Sequence, residues 1–254
     1  MKSVIEETLA QAQANQRLFA TRLVCLSKTG SKSPKVTDIR PITVTTLQQK
    51  IIEHILLNKL KLELGNTINR SQFGFRPGKE TLMHIVRLLD RIKSHKQLTL
   101  PRMQQYLIFI DFSSAFDGID HQILIDKIIH KGKCSKETLN LLKWYLNHIN
   151  IRVNEDMIMQ NKGSPQGGIR SPILWILYID DLLVELENMA DLRNVFAFAD
   201  DLMIYCRSLP LAYKVARTIL KWSQDNKIKV NTKKSAILPL AKTKRKTDKF
   251  DKNI

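Results

Sequence analysis

The chain has 254 residues, 43% of them apolar, enough for a large hydrophobic core and too many for an intrinsically disordered protein. No uncharged apolar run reaches the roughly eighteen residues of a membrane-spanning helix. The three cysteines, Cys25, Cys134 and Cys206, are odd in number and widely spaced, which argues against a disulfide framework or a zinc knuckle and for reduced, mostly buried thiols. A net charge of +17, with Lys and Arg spread through the chain, attracts polyanions. Nucleic acid is the commonest of these, although ribosomal proteins and membrane-surface binders share such a charge.

Residues 3–18 show helical spacing, with Ser3 as N-cap ahead of Glu6. The same N-terminal stretch carries Glu6 and Glu7 and lacks a signal-peptide core, so an intracellular protein is expected. Residues 21–27 and 36–44 read as two strands around a Lys/Gly/Ser/Pro loop. A helix is expected from Thr46 to Leu64, stopping at Gly65. The turn-rich stretch Gln72–Gly78 precedes a helix over about 80–93. Tyr106–Ile110 is an unbroken apolar run, as in a strand buried on both faces. Helices follow at about 121–131 and 135–148, and a Gly/Pro-rich loop at 163–172 opens a long apolar helix to about 188. Val195–Ala199 and Leu202–Cys206 flank an Asp-Asp pair as a hairpin. A helix at about 210–225 and short strands near 228–230 and 235–238 complete the pattern. The tail from Lys242 is basic and poor in apolar residues, the composition of a mobile end. Strands interleaved with helices predict an α+β fold, a sheet with helices on one face.

Asp111 directly follows a buried-type strand, and Asp200 and Asp201 sit at a hairpin tip. Ionised carboxylates at the ends of buried strands are costly unless something pairs with them. A divalent cation does so and prefers oxygen ligands. Two such ions about 3.5–4 Å apart can serve an in-line phosphoryl displacement. An Asp-Asp pair is also a common turn former, so these residues alone leave both readings open.

Ordered motifs favour the first. Phe198-Ala199-Asp200-Asp201 resembles the F/Y-x-D-D signature of reverse transcriptases. Asp111 to His121 is similar to the family's D-x-x-x-A-F-D block, Gly163 to Pro172 to its G-x-P-Q-G block, and Gln72 to Gly78 to Q-x-G-F-R-P-G. Arg40-Pro41-Ile42 resembles an early R-P-I block, and Asn231 to Ser235 the N-x-x-K-S/T block. The six blocks stand in the family's order over about residues 22–238. The resemblance implies that the sheet is antiparallel and that the chain is a right-hand polymerase with fingers over residues 1–105, a palm over 106–240 with fingers segments interleaved around 120–160, and a basic tail at 241–254.

It also implies roles. Asp111, Asp200 and Asp201, with the Phe112 carbonyl, would hold two Mg2+ ions, for which Mn2+ can substitute. Phe116 would be the steric gate against a 2′-hydroxyl. Gln166 and Gly167 would line the nucleotide site, and Lys28 and Arg40 would grip the triphosphate. Lys234 would protonate departing pyrophosphate; a solvated surface lysine is the plain alternative. Arg76 would order the fingers or touch the template. Arg170 stands where Leu is usual and could reach template phosphate. Asp180 and Asp181, on a helix, are expected to be structural.

Twelve positions between Lys28 and Arg40, F-A-D-D rather than Y-A-D-D, and the Leu177–Leu182 run resemble non-LTR (LINE-type) retrotransposons, with group II intron enzymes second. Expected partners are an RNA template, a DNA primer and deoxynucleoside triphosphates, with no membrane and a nuclear or cytoplasmic setting. No thumb, endonuclease domain or Cys/His-rich tail is recognisable, so further domains of a longer polyprotein are expected to be missing. The competing functions are an inactive, maturase-like RNA-binding module and an RNA-templated RNA polymerase, against which Phe116 argues.

Overall fold

The computed structural model describes residues 20–27, 29–30, 33–35, 38–98, 104–153, 156–164, 171–190, 194–240 and 248–249. The strands, in chain order, are β1 (Ala20–Ser27), β2 (Ile39–Val44), β3 (Tyr106–Ile110), β4 (Phe112–Ser113), β5 (Asn150–Val153), β6 (Asp156–Met159), β7 (Val195–Phe198), β8 (Asp201–Cys206), β9 (Lys229–Val230), β10 (Ala236–Pro239) and β11 (Asp248–Lys249). The helices are α1 (Leu47–Leu64), α2 (Thr81–Leu98), the single turn α3 (Ala115–Gly118), α4 (His121–Lys131), α5 (Lys136–Asn147), α6 (Ser171–Ala190) and α7 (Leu209–Asp225). The fold is α+β, and its contacts divide it into residues 1–67 with 119–174 and residues 68–118 with 175–254.

The first unit holds a sheet of order β2-β1-β5-β6. β1 runs antiparallel to β2, with Val24 opposite Ile42, and parallel to β5, with Thr21 opposite Ile151. Pro41 has no N–H to give a ladder, and it sits on β2, an edge strand, where the loss is tolerated. Thr46 opens α1 through a capping box: its hydroxyl accepts from the Gln49 N–H (3.3 Å), and Gln49 Oε1 accepts from the Thr46 N–H (3.0 Å). Ile52, Leu56, Leu60 and Leu64, four apart on one face, are buried. Asp120 caps α4 by accepting from the Gln122 and Ile123 N–H groups, both at 3.1 Å. That helix stops at Gly132, whose φ of +64° suits a residue without Cβ.

The second unit holds an antiparallel sheet of order β11-β10-β3-β8-β7. In β3, Ile108 faces Ile237 on one side and Ile204 on the other. Strand alternation puts Leu107, Phe196 and Tyr205 on one face, where they form a buried cluster with Leu88 and Ile92 of α2. Ile108, Ile110, Leu202 and Ile204 are buried on the opposite face. Tyr178 of α6 donates its hydroxyl proton to the Asn226 carbonyl (2.7 Å), just past the end of α7. The rings of Tyr178 and Trp222 meet edge to face. A short pair, β4 with β9, sets Phe112 opposite Val230.

Several elements differ from the sequence reading. The hairpin β5–β6 was not anticipated; all four side chains of β6 are exposed, so no buried alternation marks it. α2 runs to Leu98, and the second strand of the first hairpin begins at Ile39. In the basic tail, residues 248–249 pair with β10 as β11. The helix expected at 3–18 lies outside the described residues. The three cysteines are free thiols, but only Cys206 is buried, and burial pushes it up to about 12; Cys25 is exposed. Among the described residues, no helix is long and apolar enough to cross a membrane.

Candidate active site

Asp111 occupies the break between β3 and β4, and three bonds to the segment after β9 hold it there. Its Oδ2 accepts from Asn231 Nδ2 (2.8 Å), its carbonyl accepts from the Asn231 N–H (2.8 Å), and its own N–H donates to Ser235 Oγ (3.1 Å). The backbone bonds fix the residue, and the amide fixes one carboxylate oxygen. The other oxygen, Oδ1, has no hydrogen bond to Asn231.

Asp200 and Asp201 are placed by the β7–β8 hairpin. Phe198 pairs with Asp201, which leaves Ala199 and Asp200 as a two-residue connection. Such hairpins need positive φ at the first central residue, usually glycine. Ala199 takes it instead, at φ +57°, a strained conformation costing on the order of 1–3 kcal/mol. Side chains satisfy both of its backbone polar groups. The Ala199 N–H donates to Gln72 Oε1 (3.0 Å), and its carbonyl accepts from Gln72 Nε2 (3.1 Å) and Trp175 Nε1 (3.0 Å). Residues 71–73 also run along β7: the Phe73 N–H reaches the Ala197 carbonyl (2.8 Å), and the Ala197 N–H reaches the Ser71 carbonyl (2.9 Å).

The three carboxylates converge electrostatically. Burial lifts the Asp200 carboxyl above its ordinary value, its own backbone N–H draws it partly back, and the Asp201 and Asp111 carboxylates lift it again. Like charges gathered at a half-buried carboxyl are what a cation relieves. Among the described residues, no three His, Cys, Asp or Glu side chains close into a metal cage. Carboxylate oxygens are the donors that a hard divalent cation prefers, its remaining ligands coming from water and substrate phosphates.

Around the acids, Phe112 is buried with its ring edge-on to Trp175 (5.6 Å) and Trp222 (6.0 Å). Half-buried Phe116 lies tilted against Trp175 at 6.2 Å. Lys234 is exposed on the turn after Asn231. Arg76 donates to the Asn69 (3.0 Å) and Gln72 (3.3 Å) carbonyls, bracing the loop that carries Gln72. Asp180, 3% exposed, accepts from the Asn69 N–H (2.7 Å), and Asp181 accepts from Trp222 Nε1 (3.1 Å). Those two acids therefore tie together loops and helices. Lys28, Gln166, Gly167 and Arg170 lie outside the described residues, as does the side chain of Arg40, whose backbone belongs to β2. Gln72, Trp175, Asn231 and Ser235 were not singled out for support of the acids. Three of them stand inside the recognised blocks, which was the available signal.

Acidic residues at adjoining strand ends of an antiparallel sheet, flanked by helices, define the palm class of polymerases. The sequence model for "Reverse transcriptase (RNA-dependent DNA polymerase)" matches residues 27–249, so the chain belongs to the reverse transcriptase family. Among its relatives, the "Probable RNA-directed DNA polymerase from transposon BS" of Drosophila melanogaster is 26% identical over 230 residues, 84% of this chain and 25% of that protein. A 91 kDa protein in the cob intron of Schizosaccharomyces pombe is 28% identical over 153 residues, 59% of this chain and 17% of that protein. Both the transposon and the intron branch are thus represented, the former over more of the chain. The chain spans about a quarter of the transposon relative's length. In fold it is similar to the apo telomerase of Candida tropicalis truncated from its C-terminal domain, with a TM-score of 0.63 at 16% identity over 90% of this chain and 52% of that one.

Proposed function

We propose that the chain is the catalytic core of an RNA-directed DNA polymerase, adding deoxynucleotides to a primer 3′-hydroxyl on an RNA template, within a longer retrotransposon protein acting in the nucleus or cytoplasm. The observation that carries this reading is strand register: Ile110 opposite Leu202 sets Asp111 beside the Asp200–Asp201 turn at adjoining strand ends. Asp111, Asp200 and Asp201, with the Phe112 carbonyl, would hold two Mg2+ ions, and Mn2+ would substitute. Magnesium bound there supplies the positive charge that activates the 3′-hydroxyl and stabilises the leaving pyrophosphate.

The other roles follow from the blocks. Lys28 and Arg40 neutralise the triphosphate, Gln166 and Gly167 line the nucleotide site, and Lys234 passes a proton from Nζ to pyrophosphate. Arg76 holds the loop before α2, and Arg170 meets template phosphate. Residues 1–105 are assigned to fingers and 106–240 to palm, with fingers segments interleaved around 120–160. The net charge of +17 supports a nucleic-acid partner.

The test is extension of oligo(dT) on poly(rA) with magnesium, comparing the chain with an Asp200→Asn, Asp201→Asn variant. Incorporation by the first alone supports the reading, and equal incorporation rejects it. The net charge alone also allows a second reading, RNA binding without synthesis; template retention with no extension by either protein would favour it. Phe116→Val should raise ribonucleotide incorporation relative to deoxynucleotide by at least about tenfold. An unchanged sugar preference would remove the gate role.

A further inference from the structure

The F-A-D-D turn is held in shape by a residue 127 positions away in sequence. Gln72 is fully buried, at 0% exposure. Its amide faces Ala199 as a second backbone would: Oε1 accepts the Ala199 N–H, and Nε2 donates to the Ala199 carbonyl. The same Oε1 also accepts the Gly74 N–H (2.9 Å), which fixes the amide's orientation. Ala199 needs that support, because a residue with a Cβ leaves φ +57° readily when its backbone groups are unbound. Asp200 is the next residue, so any relaxation at Ala199 re-aims its carboxylate.

We infer that Gln72 is a positioning residue for the cation site: its paired hydrogen bonds to Ala199 lock the strained turn that presents the Asp200 carboxylate. Trp175 assists from a second element through its own bond to the Ala199 carbonyl. Gln72 touches neither substrate nor ion, and it acts only through the backbone. The assignment rests on the polymerase reading in one respect, the role of Asp200 as a cation ligand.

The role separates from simple core filling by rescue. Gln72→Met keeps the side chain's length and loses both hydrogen bonds to Ala199. Ala199→Gly takes positive φ without help, being the residue this hairpin position ordinarily prefers. Binding of Mn2+ alone is measured from the free-ion paramagnetic resonance signal, for wild type, Gln72→Met, Gln72→Met with Ala199→Gly, and Asp200→Asn with Asp201→Asn. Gln72→Met should weaken Mn2+ binding by about tenfold or more, the usual loss when a partner behind a metal ligand is removed. Adding Ala199→Gly should restore most of it. Gln72→Met binding as wild type does, or a loss that Ala199→Gly leaves unchanged, overturns the positioning role alone. Wild type binding no better than the double Asn variant overturns the polymerase reading and the positioning role together. If Gln72→Met does not fold, Gln72→Glu replaces it, since it retains an acceptor for the Ala199 N–H and loses the donor. If neither variant folds even with Ala199→Gly, Gln72 is a packing residue and the inference falls.

Discussion

Primer extension by the Asp200→Asn, Asp201→Asn variant is expected to fall by at least about 10³-fold, a loss of roughly 4 kcal/mol of transition-state stabilisation. Asparagine has almost the volume of aspartate, so the two-residue connection between β7 and β8 can persist. Behind it, Val195 stays opposite Ile204 and Ala197 opposite Leu202, and the pairing of Phe198 with residue 201 runs through backbone that asparagine keeps. What disappears is charge. The carboxyl of Asp200 lies above its ordinary value through burial and through Asp201 and Asp111. Neutralising two of these three acids removes the repulsion that a cation would relieve, and the affinity with it. The variant should therefore melt no lower than wild type without metal, while losing synthesis. Extension within a few fold of wild type would show that the pair is an ordinary turn.

Gly74→Ala should be the most damaging single substitution for the fold near the site. A Cβ on residue 74 would lie 2.2 Å from the Ala199 nitrogen and 2.9 Å from its Cα. The obstacle is backbone and cannot rotate aside. Nor can it retreat easily, since Gln72 and Trp175 bind Ala199 and residues 71–73 bind Ala197. We expect a loss of about 3 kcal/mol or more, the upper range for overpacking. For a chain of this size that is roughly a 6–12 °C drop in Tm. Gly65→Ala is the control: nothing lies within 4 Å of its Cβ position and its φ is −56°, so its effect should stay within about 0.5 kcal/mol. Equal melting temperatures for the two variants would contradict the close approach.

These two results depend on different amounts of legible sequence. Asp111 and Asp200 could be named because each ends an apolar run within a recognisable block, and a charge at the end of a buried strand is conspicuous. α1 was legible to within a residue because its helical spacing from Thr46 and its stop at Gly65 are local signals. The supports of the acids were not. Gln72 reaches Ala199 across 127 positions and Asn231 reaches Asp111 across 120, so each bond depends on register that only the folded sheet supplies. The parallel pairing of β1 with β5 is non-local in the same way. β6 escaped for another reason: Met157, Ile158 and Met159 are all exposed, and no alternation separates a buried face from a wet one.

The convergence of Asp111 with the Asp200–Asp201 turn on a bound cation is tested most directly by putting Fe2+ in place of Mg2+ and generating hydroxyl radicals with ascorbate and peroxide. Radicals formed at the ion cut the nearest backbone. The expected cuts fall around residue 111 and around residues 199–201 in the same molecules, fade with excess Mg2+, and vanish in the Asp200→Asn, Asp201→Asn variant. Cuts at only one of the two segments, or a pattern that the variant leaves unchanged, would contradict a shared site.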